Sequence, residues 1–173
     1  MFLVFTGNGK GKTTSALGQA LRAIGTGQKA LMVQFIKGPW KSGEDESYKR
    51  LAPDFKIVKM GKGFVGILGD KLPLSEHQQA AKEGLDFAIS EAKTGNWQLL
   101  ALDEVNNAIA LKLLTVEEVD EALEEIKKHV ETVIFTGRDA HQLFLDKADL
   151  VTEMKEIKHP YQQEVKAKKG VEY

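Results

Sequence analysis

The stretch Thr6-Gly7-Asn8-Gly9-Lys10-Gly11-Lys12-Thr13-Thr14 decides how the rest of the chain is read. It stands between a short apolar run, Leu3 to Thr6, and a helical pattern that continues to about Ile24. Three glycines let the backbone turn its N–H groups toward an anion, and the start of the helix adds the positive end of its dipole. Lys12 is placed to reach phosphate oxygens, and the Thr13 hydroxyl is placed to ligate Mg2+. The stretch departs from G-x-x-x-x-G-K-[ST] at one position, where Thr6 stands in for the first glycine. A Gly-rich turn capped by Thr13 or Thr14 is the plainer reading. G-K-T-T between strand and helix argues instead for a phosphate cradle built from Thr6, Gly7, Asn8, Gly9, Lys10, Gly11, Lys12, Thr13 and Thr14.

Outward from the cradle, short apolar runs alternate with amphipathic stretches to the end of the chain. Gly25 and Gly27 stop the first helix, and Ala30 to Ile36 (A-L-M-V-Q-F-I) reads as the next buried strand, ending at Lys37-Gly38-Pro39. A polar helix around Glu44 to Leu51 precedes a strand at about Phe55 to Met60, and a Gly-rich loop, Gly61 to Gly69, follows. Ser75 with Gln78 at the third position reads as a capping box, opening a helix with Ala81, Leu85, Ala88, Ile89 and Ala92 on one face. Trp97 to Leu102 is a strand ending in Asp103-Glu104. Thr115 with Glu118 caps another helix, whose Val119, Ala122, Leu123 and Ile126 recur at helical spacing. Thr132 to Phe135 is a strand ending in Thr136-Gly137-Arg138, followed by a short helix near Gln142 to Lys147 and a last strand from about Asp149 to Met154. Such alternation predicts one α/β domain over 1–173, with a mostly parallel sheet and helices on both faces.

Composition narrows the function. The 173 residues suffice for one substantial core, and acidic and basic residues nearly cancel, leaving a formal net charge of -1. A general nucleic-acid binder would rest on a basic surface, so no nucleic-acid partner is expected. There is no cysteine, which excludes disulfides, thiolate nucleophiles and Cys-ligated metals. No apolar run approaches the roughly 20 residues that span a bilayer, and the start lacks the basic region of a signal peptide. The expected address is the cytoplasm, away from any membrane.

Further residues gather where strands end, the edge at which open α/β sheets collect ligands. Asp103 closes the apolar run Leu99-Leu100-Ala101-Leu102 and fits the acid that holds a metal's water shell beside a P-loop. Glu104 is open between a metal ligand, a water activator and a loop-positioning group. Lys37 and Arg138 each follow a strand and could meet a triphosphate or a substrate carboxylate, or be solvated loop charges. Lone His141 and His159 read as structural or solvated, and Lys166, Lys168 and Lys169 as a solvated face.

Taken together, T-G-N-G-K-G-K-T-T (6–14), V-Q-F-I-K-G (33–38), G-K-G-F (61–64), L-D-E-V-N-N-A (102–108), T-G-R (136–138), A-D-L-V-T-E-M (148–154), K-H-P-Y (158–161) and K-A-K-K-G-V-E-Y (166–173) resemble the P-loop type of ATP:corrinoid adenosyltransferase. The resemblance runs in order along almost the whole chain, and the family's loop shares the Thr6 departure. It implies a RecA-like P-loop fold, ATP with Mg2+ or Mn2+, and a homodimer. It also implies the reaction, in which a reduced cobalt corrinoid attacks C5′ of ATP and inorganic triphosphate leaves. The electron donor for the cobalt is not specified. On this reading Lys12, Phe64 and Arg138 serve catalysis, Thr13, Asp103 and Glu104 the metal, and Phe64, Gly66 and Lys37 the corrinoid side. Because cobalt is the nucleophile, the protein's work is positioning, charge neutralisation and exclusion of water. Because C5′ reacts, the triphosphate is expected to lie reversed relative to P-loop hydrolases.

Two departures from the family are visible. Its G-F-T-W, an aromatic pair implied to help displace the corrinoid's lower ligand, reads Gly63-Phe64-Val65-Gly66 here, and longer members carry an N-terminal segment ahead of the first strand. Two other functions stay open on the residues: a P-loop ATPase or kinase, which would leave ADP, and a non-catalytic, ATP-responsive corrinoid-binding protein.

Overall fold

The structure, a computed structural model, describes residues 1–38, 41–67, 69–160 and 167–171. Six strands, β1 (Phe2–Thr6), β2 (Ala30–Gln34), β3 (Phe55–Lys59), β4 (Leu99–Asp103), β5 (Thr132–Thr136) and β6 (Leu150–Glu153), form one sheet in the order β3-β2-β4-β5-β1-β6. Every neighbouring pair is parallel. All five residues of β1, β2 and β4 are buried, as a sheet covered on both faces requires, so each sequence is an apolar run, closed by one polar residue, Thr6, Gln34 or Asp103. This is an α/β, RecA-like P-loop architecture.

Helices cover the two faces unequally. On one, α1 (Lys12–Ile24) presents Ala16, Ala20 and Ala23 to Leu3, Met32 and Ile134. These small residues allow α1 to lie close to the sheet; a leucine at Ala20 would overpack this contact at a cost of about 1–3 kcal/mol. On the other face, α3 (Leu74–Lys93) and α5 (Val116–Ile126) bury Ala81, Leu85, Ala88, Ala92, Val119, Leu123 and Ile126 against Val4, Val33, Leu102 and Phe135. Two short helices, α4 (Val105–Ala110) and α6 (Gln142–Lys147), follow β4 and β5. The polar segment after β2 splits into α2 (Glu44–Ser47) and a 3-10 turn at Tyr48–Leu51.

Three sequence expectations are corrected. Pro73, not Ser75, is the N-cap of α3 and makes no side-chain cap. Its ring already sets the φ needed there, so the helix begins one residue before Ser75, and Gln78 instead donates to the Lys112 carbonyl at 2.9 Å. Apolar runs also overstate two strands: Phe35, Ile36 and Trp97 are buried but lie outside β2 and β4. Phe35 still donates its N–H to the Asp103 carbonyl at 3.0 Å, and the Trp97 indole donates to Glu91 at 2.7 Å. Finally, α4 was not anticipated. By contrast, the Thr115–Glu118 capping box is present in full.

Candidate functional site

Because every strand points the same way, the loops after β1 to β5 meet at one sheet edge. There a cavity of about 520 Å3 is lined by Lys10 to Thr14, Lys37, Glu44, Glu104, Asn107 and Arg138, with Leu17 and Val171 among its apolar walls. A second cavity of about 290 Å3 shares Lys10, Lys12 and Arg138 with the first, and adds Asn8, Gly9, Glu156 and His159.

Within the cradle the residues divide their work. Gly11 is the N-cap of α1, at φ 125, and no side chain caps the helix. The N–H groups of Lys12, Thr13 and Thr14 belong to the first turn of α1, where backbone donors have no intrahelical partner and attract anions. Gly7 and Gly9 serve packing: a Cβ at Gly7 would meet the Met154 carbonyl oxygen at 2.5 Å, and one at Gly9 would meet Lys155 at 2.8 Å. Gly9 gives its N–H to Met154 at 2.7 Å, which ties the cradle to the end of β6. Thr6 is buried and its hydroxyl accepts from the Ala140 amide at 3.3 Å, so it braces the loop from behind the cavity wall. Lys12 bonds the Gly9 carbonyl at 2.7 Å. Burial, then the like charge of Arg138, lower its pKa, against the pull of Glu104, Asp103 and Glu156.

The two acids behave differently. Asp103 is 0% exposed and lies outside the cavity lining. One of its carboxylate oxygens accepts from the Gln34 amide at 3.0 Å and the other from the Thr136 hydroxyl at 2.7 Å. Sheet order explains the cluster: β4 lies between β2 and β5, and Gln34 pairs in register with Asp103. Glu104 does line the cavity, and sits in the left-handed region at φ 64, where a non-glycine residue carries strain. Burial, then the Asp103 charge, push its carboxyl up to about 7, although Lys37, Lys12 and Arg138 oppose this.

Lys37 pairs with Glu44 across the cavity at 2.5 Å. Burial works against its charge, but the Glu44 bond and the fields of Asp103 and Glu104 outweigh it, and its pKa is raised. Arg138 donates its backbone N–H to Asn107 at 2.9 Å, which fixes the start of the loop after β5. Asn106 beside it is buried, with neither side-chain polar atom hydrogen-bonded among the described residues. Gln34, Thr136, Asn107 and Glu44 are therefore site residues that sequence reasoning missed. The one signal for Gln34 and Thr136 was a polar residue closing an apolar strand.

Phe64 and Gly66 stand in the loop after β3, at the same sheet edge but outside the lining of either cavity. Phe64 is 42% exposed. His141 caps α6, its Nδ1 accepting from Leu143 at 3.3 Å, and Lys168 and Lys169 are exposed. Pro39, Tyr161, Lys166 and the last two residues lie outside the described residues.

As to metals, no group of three or more His, Asp or Glu that could hold one is found among the described residues. The cavity nonetheless offers hard oxygen donors, the Thr13 hydroxyl and the Glu104 carboxylate, beside a phosphate cradle. That donor set suits Mg2+ or Mn2+, which take few protein oxygens and complete their shell with phosphates and water.

Fold and site together define a P-loop nucleotide-binding protein. A sequence model of the family ATP:corrinoid adenosyltransferase BtuR/CobO/CobP matches residues 1–173. The chain is 39% identical over 173 residues to the corrinoid adenosyltransferase of Escherichia coli (strain K12), covering 100% of this chain and 85% of that one. It is 37% identical over 177 residues to the corrinoid adenosyltransferase CobA of Salmonella typhimurium (strain LT2), with 100% and 85% covered. Against the corrinoid adenosyltransferase of Pseudomonas aeruginosa the identity is 36% over 175 residues, with 100% and 83% covered. The chain belongs to the ATP:corrinoid adenosyltransferase family of transferases, and its activity is adenosyl transfer from ATP to a corrinoid.

Proposed function

We propose that the 520 Å3 cavity holds ATP for attack at C5′ by a reduced cobalt corrinoid, with inorganic triphosphate as the leaving group. The carrying observation is the convergence of the α1 N-terminus, Lys12, Arg138 and Lys37 on one cavity, a charge pattern matched to a departing polyphosphate. Cobalt(I) supplies the electron pair of the new cobalt–carbon bond. The C5′–O bond breaks, and its pair leaves on triphosphate. Cobalt ends formally as Co(III), and no oxidant is needed. No protein nucleophile or base takes part.

Lys12 and Arg138 neutralise the leaving group, while Thr13 and Glu104 would hold Mg2+ or Mn2+. A bound cation would offset the negative charge that develops on the departing triphosphate oxygens. Asp103 acts from behind, through its field on Lys12 and Lys37 and through its grip on Thr136. Phe64 and Gly66 belong to the corrinoid side, and Lys37 stands between that side and the nucleotide. The triphosphate lies reversed, so that C5′ faces the edge carrying the Phe64 loop. Support comes from the shared sheet edge, where the Phe64 loop follows β3 and the cradle follows β1.

The chain works as a homodimer in the cytoplasm. No helix among the described residues is long and apolar enough to cross a membrane.

One assay tests the central reading. ATP, a corrinoid and a strong reductant should give a light-sensitive cobalt–carbon product and stoichiometric triphosphate. ADP without that product would replace the reading by phosphoryl transfer, and binding without turnover would favour a carrier. A structure with a slow ATP analogue tests the pose: a γ-phosphate beside Glu104, with adenosine turned from Phe64, would refute the reversal. Light scattering tests the dimer.

A further inference from the structure

The loop after β3 is held at two points by contacts outside the nucleotide cavity. At its root, Met60 and Gly61 both donate backbone N–H groups to the Gln34 carbonyl, at 2.9 and 3.2 Å. Gly61 packs so closely on β2's extension that a Cβ would meet the Phe35 carbonyl oxygen at 2.4 Å. Farther along, the Asp70 carboxylate accepts from the Gly66 amide at 2.9 Å and from the Leu72 amide at 3.0 Å. The same carboxylate meets Nε2 of His77 at 3.0 Å. His77 belongs to α3, is 3% exposed, and is anchored by the helix that packs on the sheet. The amides of Gly66 and Leu72, and then His77, hold the Asp70 carboxyl below the usual carboxylate range, against the effect of desolvation.

Besides its root at Gln34 and the packing of Val65 on the core, the loop bearing exposed Phe64 and Ile67 is thus tied to α3 through the Asp70 carboxylate. A loop is the mobile part of such a site, and hydrogen bonds to a buried anchor on a packed helix restrict where it sits. We infer that Asp70 and His77 are positioning residues for the corrinoid half of the reaction, forming a brace that sets the Phe64 loop against the acceptor. Neither residue touches the nucleotide cavity, and neither is catalytic in itself. The inference rests on the reading of the Phe64 loop as the corrinoid side.

The test compares Asp70→Ala, Asp70→Asn, His77→Phe, His77→Gln and Phe64→Ala in the full chain, with ATP and corrinoid varied separately. A misplaced reacting loop costs on the order of tenfold to a hundredfold in rate. Asp70→Ala and His77→Phe should lower kcat/KM for corrinoid by that factor, with KM for ATP changed less than about twofold. His77→Gln keeps a side-chain donor and Asp70→Asn keeps one acceptor, so both should recover part of the loss. Amide hydrogen exchange over residues 63–72 should quicken in Asp70→Ala while exchange over α5 stays as before.

Unchanged exchange over 63–72 overturns the brace whatever the activity. Quicker exchange with unchanged corrinoid kinetics overturns the positioning role. A rise in KM for ATP as large as the loss of kcat/KM for corrinoid shows a general structural part and overturns it as well. If Phe64→Ala lowers corrinoid use and Asp70→Ala does not, the brace falls alone. If Phe64→Ala is silent while Asp70→Ala is not, the brace stands and Phe64 loses its assigned place.

Discussion

Glu104 gives its backbone N–H to the Thr136 hydroxyl at 2.8 Å, and that hydroxyl gives its own proton to Asp103 at 2.7 Å. One side chain from β5 thus holds the strained backbone of one acid and half the carboxylate of the other. Glu104 has φ 64, a conformation that needs such support.

Thr136→Val keeps the shape and removes both bonds. A buried acceptor left without its donor costs about 1–3 kcal/mol, so the unfolding free energy from urea titration should fall by that amount. Activity should fall further than stability accounts for, because Glu104 loses the contact that orients it. Wild-type turnover at a temperature well below unfolding would remove Thr136 from the site.

Glu104 also makes stability depend on pH. Its folded pKa, about 7, lies above the ordinary carboxyl value of 4.5, so between these values the native state binds more protons than the unfolded chain. Stability contributed by the protonated form is full below about 4.5, declines as pH rises through that window, and is flat above about 7. Glu104→Gln abolishes the titration. The variant should be more stable than wild type at pH 8, by up to about 3 kcal/mol, with the difference vanishing toward the acid end of the window. Metal-dependent ATP affinity should rise with pH through the same range in wild type only, since the carboxylate is the ligand form. Parallel stability curves for the two proteins would contradict both statements.

Lys12→Ala should abolish tight ATP binding while leaving the fold intact. Loss of a charge-assisted phosphate contact costs on the order of 2–4 kcal/mol. Without ATP, Lys12 is unfavourably placed, half-buried near Arg138, so the thermal midpoint should hold or rise. Calorimetric titration with ATP and a melting curve check the two halves. Near-normal affinity would displace the phosphate site from this loop.

Gly66 tests the loop's departure from its family. A Cβ there would meet nothing within 4 Å, yet φ is +70, so a larger residue has room but a strained backbone, costing about 1–2 kcal/mol. Gly66→Trp should quicken reaction of corrinoids that carry a lower ligand and change little for those without one. Phe64→Ala should slow both. Rates measured on the two corrinoid classes decide it, and a silent Phe64→Ala would reduce that ring to ordinary packing.

How much of this was legible depended on how local the causes were. The cradle, the strand–helix alternation and the Thr115 cap rest on neighbours a few residues apart, and each was readable from Thr6 to Thr14, from the apolar runs, or from T-x-x-E. Helix α4 was not, because V-N-N-A-I-A is short, carries two asparagines that favour turns, and starts from a left-handed Glu104. Ser75 misled because Pro73 had already set the helix entry.

By itself the sequence determined that a parallel α/β sheet would carry a phosphate cradle, since those signals are written in spacing and side-chain size. Only the tertiary structure decided that Gln34, Asp103 and Thr136 stand side by side, because strand order places β4 between β2 and β5 and no local pattern encodes that order. The same folding step turned Asp103 inward to two donors and left Glu104 facing the cavity. Two adjacent acids of equal standing in the chain thereby acquired different surroundings, and a buried carboxylate with two donors does different work from one set among three cations.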